Sequence, residues 1–146
     1  MVIRDWSSDV CSSDLEVMDM ANESKCGCGC NAKSKLIFAC SGAADVGALA
    51  DQAARKMTRD GAGKMFCTPG IGGRVSGIMK TTEAADAILA IDGCALDCVK
   101  QSLIQAGFNV FKHLRLTDIG FEKGKTAVND SAVAKVADKG AELLKD

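Results

Sequence analysis

The sequence is poor in aromatic and conformationally rigid residues. It contains no tyrosine, and proline, histidine and tryptophan each occur once among its 146 residues. Positive and negative side chains nearly balance, with 18 Lys and Arg against 19 Asp and Glu. Nucleic-acid-binding surfaces combine clustered basic residues with stacking aromatics, so we exclude nucleic acid as the main partner. Apolar runs stay below the roughly 18 residues that a membrane-spanning helix requires, so we expect no membrane partner.

Cysteine is the residue type that the chain has in excess, with eight copies. The sequence shows no signal peptide, so we expect a reducing compartment, the cytoplasm. Clustered cysteines in that setting more often bind metal or act in catalysis than form disulfides. A metal ion is therefore the expected partner, and the identity of any protein partner stays open.

The first residues do not resemble a natural domain. The run from Asp5 to Leu15 resembles one reading frame of a common sequencing-library adapter. We predict that residues 1–19 are an adapter artefact, the alternative being a disordered leader. Residues 20–34 are predicted to be a flexible tail in which Cys26, Cys28 and Cys30 alternate with glycine. The tail either binds metal or carries unused thiols, and residues 35–146 are predicted to form one domain.

Apolar runs and helical patterns alternate along residues 35–146. The runs predict strands at 35–40, 64–67, 87–91 and 109–114. Helices are predicted from Asp45, which would act as the cap, at about 74–80, from about Leu96 to Gly107, and from Asn129 or Asp130. Alternating strands and helices predict an α/β fold, a three-layer sandwich with a mainly parallel, Rossmann-like sheet of four strands or slightly more.

Three cysteines end successive predicted strands at equal intervals. Cys40, Cys67 and Cys94 are each 27 residues apart, close to the length of one strand–helix–strand unit. The carboxyl ends of parallel strands are where such sheets bind ligands. Cys98 follows Cys94 by four residues, a spacing that places both side chains on one face of a helix. The sequence therefore predicts four thiols around one crevice.

Four converging thiols can hold a soft metal. Helix starts favour the thiolate form, and Zn²⁺ accepts a tetrahedral shell of four thiolates. We therefore predict a Zn²⁺ site formed by Cys40, Cys67, Cys94 and Cys98. A redox enzyme or sulfur carrier is the alternative, with Cys40 as nucleophile and Cys94 or Cys98 as resolving thiol. An iron–sulfur cluster is a third possibility, and a fourth is that small apolar cysteines simply pack well near strand ends, which would suffice for one cysteine but is less favoured for all four. Whether any reaction is catalysed stays open.

Two further residues have two open roles each. His113, the single histidine, lies late in the fourth predicted strand and is either a spare ligand or proton carrier or a structural residue. Asp92 precedes the Gly93–Cys94 turn, where its carboxylate either supports a metal site from outside or caps a helix.

Residues 35–120 resemble the DGC-domain family, whose members are described as proteins that are expected to bind zinc. The resemblance is carried by Cys40-Ser41-Gly42 with Asp45-Val46-Gly47, by Cys67 to Gly73, by Asp92 to Cys98, and by Gly107 to Gly120. It implies that Cys40, Cys67, Cys94 and Cys98 are metal ligands, and that residues 35–146 are a DGC-type domain. It implies no established reaction.

Overall fold

Four parallel strands form the central layer of the structure, a computed structural model that describes residues 34–145. The sheet order is β2-β1-β3-β4. The strands are β1 (Lys35–Ala39), β2 (Lys64–Met65), β3 (Ala87–Asp92) and β4 (Lys112–Arg115). The predicted parallel α/β fold is confirmed. Our predictions for residues 1–33, including those on the leader and the three tail cysteines, lie outside the described residues.

Helices cover both faces of this sheet. They are α1 (Asp45–Arg59), α2 (Thr68–Gly72), α3 (Ser76–Glu83), α4 (Cys98–Gln105) and α5 (Asp130–Leu143), with a 3-10 turn at Leu116–Ile119. Helices α1 and α5 pack on one face, and α2, α3 and α4 border the other. Asn129 caps α5, because its side chain accepts a hydrogen bond from the Ala132 N–H at 2.9 Å. Within residues 34–145, none of the helices combines the length and apolar character of a membrane span.

Strand β1 shows why apolar runs predicted this architecture. Ile37 and Ala39 face α1 and α5, whereas Leu36 and Phe38 face the opposite layer, and all four are at most 2% exposed. A strand buried on both faces needs apolar side chains at consecutive positions rather than at alternate ones. Complete burial of a side chain such as Phe38 stabilises the fold by about 1.5–3 kcal/mol.

The chain leaves β1 and β3 in opposite directions. After β1 it crosses through α1 to β2, and after β3 it crosses through α4 to β4, on the other face. Because β1 and β3 are neighbours in the sheet, the loops that follow them diverge and leave a crevice at their carboxyl ends. Open parallel sheets bind ligands at such a switch point.

Several predicted boundaries were wrong. Strand β2 ends at Met65, and residues 68–72 form α2 instead of a loop, with Pro69 in its first turn where a missing N–H is tolerated. Helix α3 starts at Ser76 rather than at 74, because Arg74 has a positive φ of 51° that is incompatible with a helix. Strand β4 starts at Lys112, where pairing with Leu89 of β3 begins.

We had predicted that Asp45 caps α1, and this prediction was wrong. It is the first residue of the helix, and Ala44 occupies the capping position without a side-chain hydrogen bond. The Asp45 carboxylate accepts hydrogen bonds from the backbone N–H groups of Gly124 (2.9 Å) and Thr126 (2.7 Å), in the loop before α5. These bonds lower the pKa of Asp45, with Gly124 as the largest cause.

We expect Asp45→Asn to destabilise the protein at neutral pH, because the ionised carboxylate is the stronger acceptor for the two loop N–H groups. The pKa of Asp45 is lower in the folded protein than in the unfolded one, so its contribution is present above the unfolded pKa and is lost as the pH falls through the folded pKa. Urea unfolding at pH 7 and near pH 3 measures this. The difference from the wild type should shrink at the lower pH, whereas Asp138→Asn, on the exposed side of α5, should change little at either pH. An undiminished difference in acid would contradict the assignment.

Candidate functional site

Two cysteines are fixed at the ends of neighbouring strands. Cys40 follows β1 directly, and its N–H donates a hydrogen bond of 2.9 Å to the carbonyl of Ile91 in β3, so the parallel pairing extends to this residue. Cys67 precedes α2 and occupies its capping position. The neighbouring Thr68 hydroxyl donates a hydrogen bond of 3.0 Å to the carbonyl of Ala39. Backbone contacts therefore hold both cysteines at the carboxyl edge of the sheet, as predicted.

Cys94 and Cys98 lie on the two sides of a tight turn after β3. The Asp97 N–H donates a hydrogen bond of 3.1 Å to the Cys94 carbonyl, and α4 begins at Cys98. The prediction that both thiols share one face of a helix was wrong, because Asp97 has a left-handed φ of 50° and ends any helical path back to Cys94. Leu96, predicted to belong to the helix, lies in this turn and is 68% exposed.

Three of the four cysteines line one pocket. Cys40, Cys67 and Cys98 border an open cavity of about 510 Å³ at the switch point. Its apolar wall is formed by Met65, Phe66, Pro69 and Val99. On the polar side, the Ser41 hydroxyl donates to Asp51 (2.8 Å), which also pairs with Arg55 (2.6 Å). The pocket therefore joins thiols from the end of β1 and from the starts of α2 and α4, which are distant from one another in sequence.

The thiol of Cys98 is surrounded by groups that disfavour its ionised form. The residue as a whole is exposed, but desolvation of its thiol raises its pKa first, and the side chains of Cys40, Asp92 and Cys94 raise the pKa further. Cys98, the first residue of α4, therefore keeps its proton more readily than an ordinary cysteine.

The metal-ligand geometry of the thiols stays a prediction. Among residues 34–145, the one set of three or more His, Cys, Asp and Glu side chains with ligand atoms all within 4.8 Å of one another is Asp92, Asp97 and His113. The cysteines do not form such a set. Hydrogen bonds inside the protein account for the Asp92–Asp97–His113 cluster, as follows.

Asp92 caps the start of α4, one of the two roles that we had left open for it. Its carboxylate is 1% exposed and accepts hydrogen bonds from the backbone N–H groups of Val99 (2.8 Å) and Lys100 (3.1 Å). The Nε2 atom of His113 lies 3.0 Å from the same carboxylate. His113 thus contacts the residue that fixes the helix carrying Cys98, and its role as a ligand or proton carrier stays a prediction.

Sequence reasoning missed an ion pair beside this cap. Arg115 donates to Asp97 through Nε (2.8 Å) and Nη2 (2.5 Å), and the hydrogen bond from Arg115 is the largest cause of the lowered pKa of Asp97. A signal was present, because His113 and Arg115 are two positions apart and lie on the same face of β4. The partner of Arg115 could not be foreseen without the turn at Asp97.

Together these features define an α/β protein with a thiol-lined ligand crevice at the carboxyl ends of its parallel strands. The model of the DGC domain matches residues 36–139, and the chain belongs to this family, as the resemblance indicated. The anaerobic and virulence modulator AnvM of Pseudomonas aeruginosa is a relative, 36% identical over 88 residues. The alignment covers 60% of this chain and 67% of AnvM. No solved structure matches the chain.

Proposed function

We propose that this protein binds a zinc ion through Cys40, Cys67, Cys94 and Cys98. The observation that supports this most directly is the shared pocket of Cys40, Cys67 and Cys98, with Cys94 on the other side of the tight turn that leads to Cys98. Each of the four comes from a strand end or the turn after it, where backbone hydrogen bonds restrict movement.

The chemistry of the donor set fits zinc. A site of four thiolates and no carboxylate or carbonyl selects soft or borderline metals over Mg²⁺ or Ca²⁺. Tetrahedral zinc with bonds near 2.3 Å needs sulfur atoms roughly 3.8 Å apart, so the four side chains would have to bring their sulfur atoms to that separation when the ion binds. Since the pKa of Cys98 is raised, its thiol would lose a proton on binding, which couples metal affinity to pH.

We expect the protein, purified without an affinity tag or added metal, to contain close to one zinc per chain. Elemental analysis, together with visible absorption, measures this. Cobalt substitution should give the intense charge-transfer absorption of thiolate ligands. Iron with visible absorption in the native protein would indicate an iron–sulfur centre instead. The absence of any bound metal, in a protein whose thiols are all reduced, would contradict the proposal.

The name of the Pseudomonas aeruginosa relative favours a second candidate, a regulatory role in which the thiols respond to oxidants. AnvM is named as a modulator of anaerobic behaviour and virulence. Cys98 lines the same pocket as Cys40 and lies across a tight turn from Cys94, so an oxidant that takes up two electrons and two protons could join Cys98 to either of them in a disulfide. Peptide mapping after mild oxidation, with and without zinc, separates the two candidate functions. A reversible disulfide that forms in the native, metal-free protein supports the regulatory role. If zinc prevents that disulfide from forming, the metal and the disulfide share one site.

A further inference from the structure

Asp97 connects the two halves of the cysteine turn through its backbone. Its N–H donates to the carbonyl of Cys94 (3.1 Å), and its own carbonyl accepts the first helical hydrogen bond of α4, from the Gln101 N–H (2.8 Å). The φ of 50° at Asp97 reverses the chain between these two bonds. The conformation of this one residue therefore determines how far Cys94 lies from Cys98.

The left-handed conformation is costly for most residues and needs support from the surroundings. Aspartate tolerates it better than most side chains, yet an isolated residue in this region still carries backbone strain. At Asp97 the support comes from Arg115 on β4, whose guanidinium binds both carboxylate oxygens. The Asp97 side chain is 10% exposed and that of Arg115 26% exposed, so water screens this pair less than a surface pair.

The sheet fixes where the guanidinium lies. Arg115 is the register partner of Asp92, the residue that caps α4. The two residues that hold the turn, Asp92 through α4 and Arg115 through Asp97, therefore lie opposite each other in β3 and β4. His113 contacts Asp92 from the same face of β4. Strand β4 thus holds the segment from Asp92 to Cys98 through the two carboxylates of that segment, those of Asp92 and Asp97.

We infer that Arg115 and Asp97 are positioning residues, which hold the turn so that Cys94 and Cys98 face the same site as Cys40 and Cys67. This inference deepens the proposed zinc site and rests on it. Neither residue needs to touch the metal. Their contribution is to fix the separation of two thiols in advance, so that binding does not have to order them.

The variants that test this inference are chosen to keep the fold and to remove the paired hydrogen bonds between the Arg115 guanidinium and the Asp97 carboxylate. Arg115→Lys retains the charge but cannot bind both oxygens of Asp97. Asp97→Asn retains the size and the tolerance for positive φ but loses the ion pair. Asp118→Asn is the matched control, because Asp118 is the exposed partner of the same guanidinium, at 3.3 Å, and lies outside the cysteine turn, in the 3-10 turn after β4. Circular dichroism confirms that each variant is folded.

Two measurements on these variants decide the matter. In competition with a chromophoric chelator, Arg115→Lys and Asp97→Asn should bind zinc about 10–100-fold more weakly than the wild type. This is the usual effect of losing a residue that orients metal ligands. The control Asp118→Asn should bind zinc as tightly as the wild type. In the metal-free protein, mass spectrometry of alkylated peptides should show changed rates at Cys94 and Cys98, with Cys40 and Cys67 unchanged.

The second measurement needs no metal, so the two ideas can fail separately. If the wild type binds no zinc, the proposed function is wrong, and the alkylation rates alone decide whether Arg115 and Asp97 position the thiols. Equal changes at all four cysteines would mean general loosening of the fold and would overturn the inference. Unchanged rates at Cys94 and Cys98 in both variants would overturn it as well.

Discussion

Replacing Cys94 with serine should abolish tight, near-stoichiometric zinc binding, and Cys98→Ser should do the same. A serine hydroxyl stays protonated at neutral pH and is a poor ligand for zinc, so each variant leaves a shell of three thiolates. The core thiols are held by strand ends and by the turn at Asp97, so the wild type has little ordering cost when it binds. Titration against a chromophoric chelator measures the loss, and we expect a decrease of at least about 100-fold, or about 2.7 kcal/mol.

The matched control is the chain in which Cys26, Cys28 and Cys30 are all replaced by serine. Glycine alternates with these thiols in the sequence, and fixing the backbone of a glycine-rich segment around an ion costs about 1–2 kcal/mol per residue, so we predict only weak binding there. The control should retain the tight site and lose weaker or exchangeable binding. Loss of the tight site in the control would show that the tail supplies ligands, and that the four-cysteine assignment is wrong.

Gly93→Ala should be among the most destabilising single substitutions in the domain. A Cβ atom at this position would lie 2.9 Å from the carbonyl carbon and oxygen of Val46 and 3.0 Å from the nitrogen of Gly47, all backbone atoms of α1. Backbone cannot move away as a flexible side chain can, so β3 and the start of α1 must separate. We expect a loss of about 3 kcal/mol in the free energy of unfolding, the upper end of the usual overpacking cost.

Gly77→Ala in α3 is the control for this substitution. In the described part of the chain, no atom beyond its immediate neighbours lies within 4 Å of the position of a new Cβ. Alanine is also the better helix former, so stability should stay the same or rise by up to about 1 kcal/mol. Urea unfolding of both variants measures the difference. A Gly93→Ala protein as stable as the Gly77→Ala protein would contradict the close packing of β3 on α1.

Local sequence patterns were sufficient to predict the layers of the fold. The apolar run of β1 is buried on both faces, which requires helices on both sides of the sheet and makes a parallel arrangement the natural one. The strand ends followed from the same pattern, so Cys40 and Cys67 were placed at the carboxyl edge of the sheet correctly. The cap of α5 was predicted to be Asn129 or Asp130, and it is Asn129; the prediction was possible because a side-chain oxygen three residues before a free N–H is a local interaction.

Boundaries set by distant contacts were predicted poorly. Asp45 has the sequence signature of a cap, yet its carboxylate binds the loop at Gly124 and Thr126, about 80 residues away along the chain. Cys94 and Cys98 have helical spacing, yet Asp97 is left-handed between them. In both cases a hydrogen bond to a residue far along the chain outweighed a local preference worth about 1 kcal/mol or less.

The sequence by itself determined the alternation of strands and helices, the parallel sheet, and the presence of thiols at successive strand ends, because these depend on the hydrophobic pattern and on chain length between elements. Only the tertiary structure decided which of these ends meet. The strand order β2-β1-β3-β4 puts Cys40 beside Cys67 and the turn of Cys94, and the register of β4 brings Arg115 to Asp97. Strand order and register depend on contacts between segments that are far apart in sequence, which no local pattern encodes.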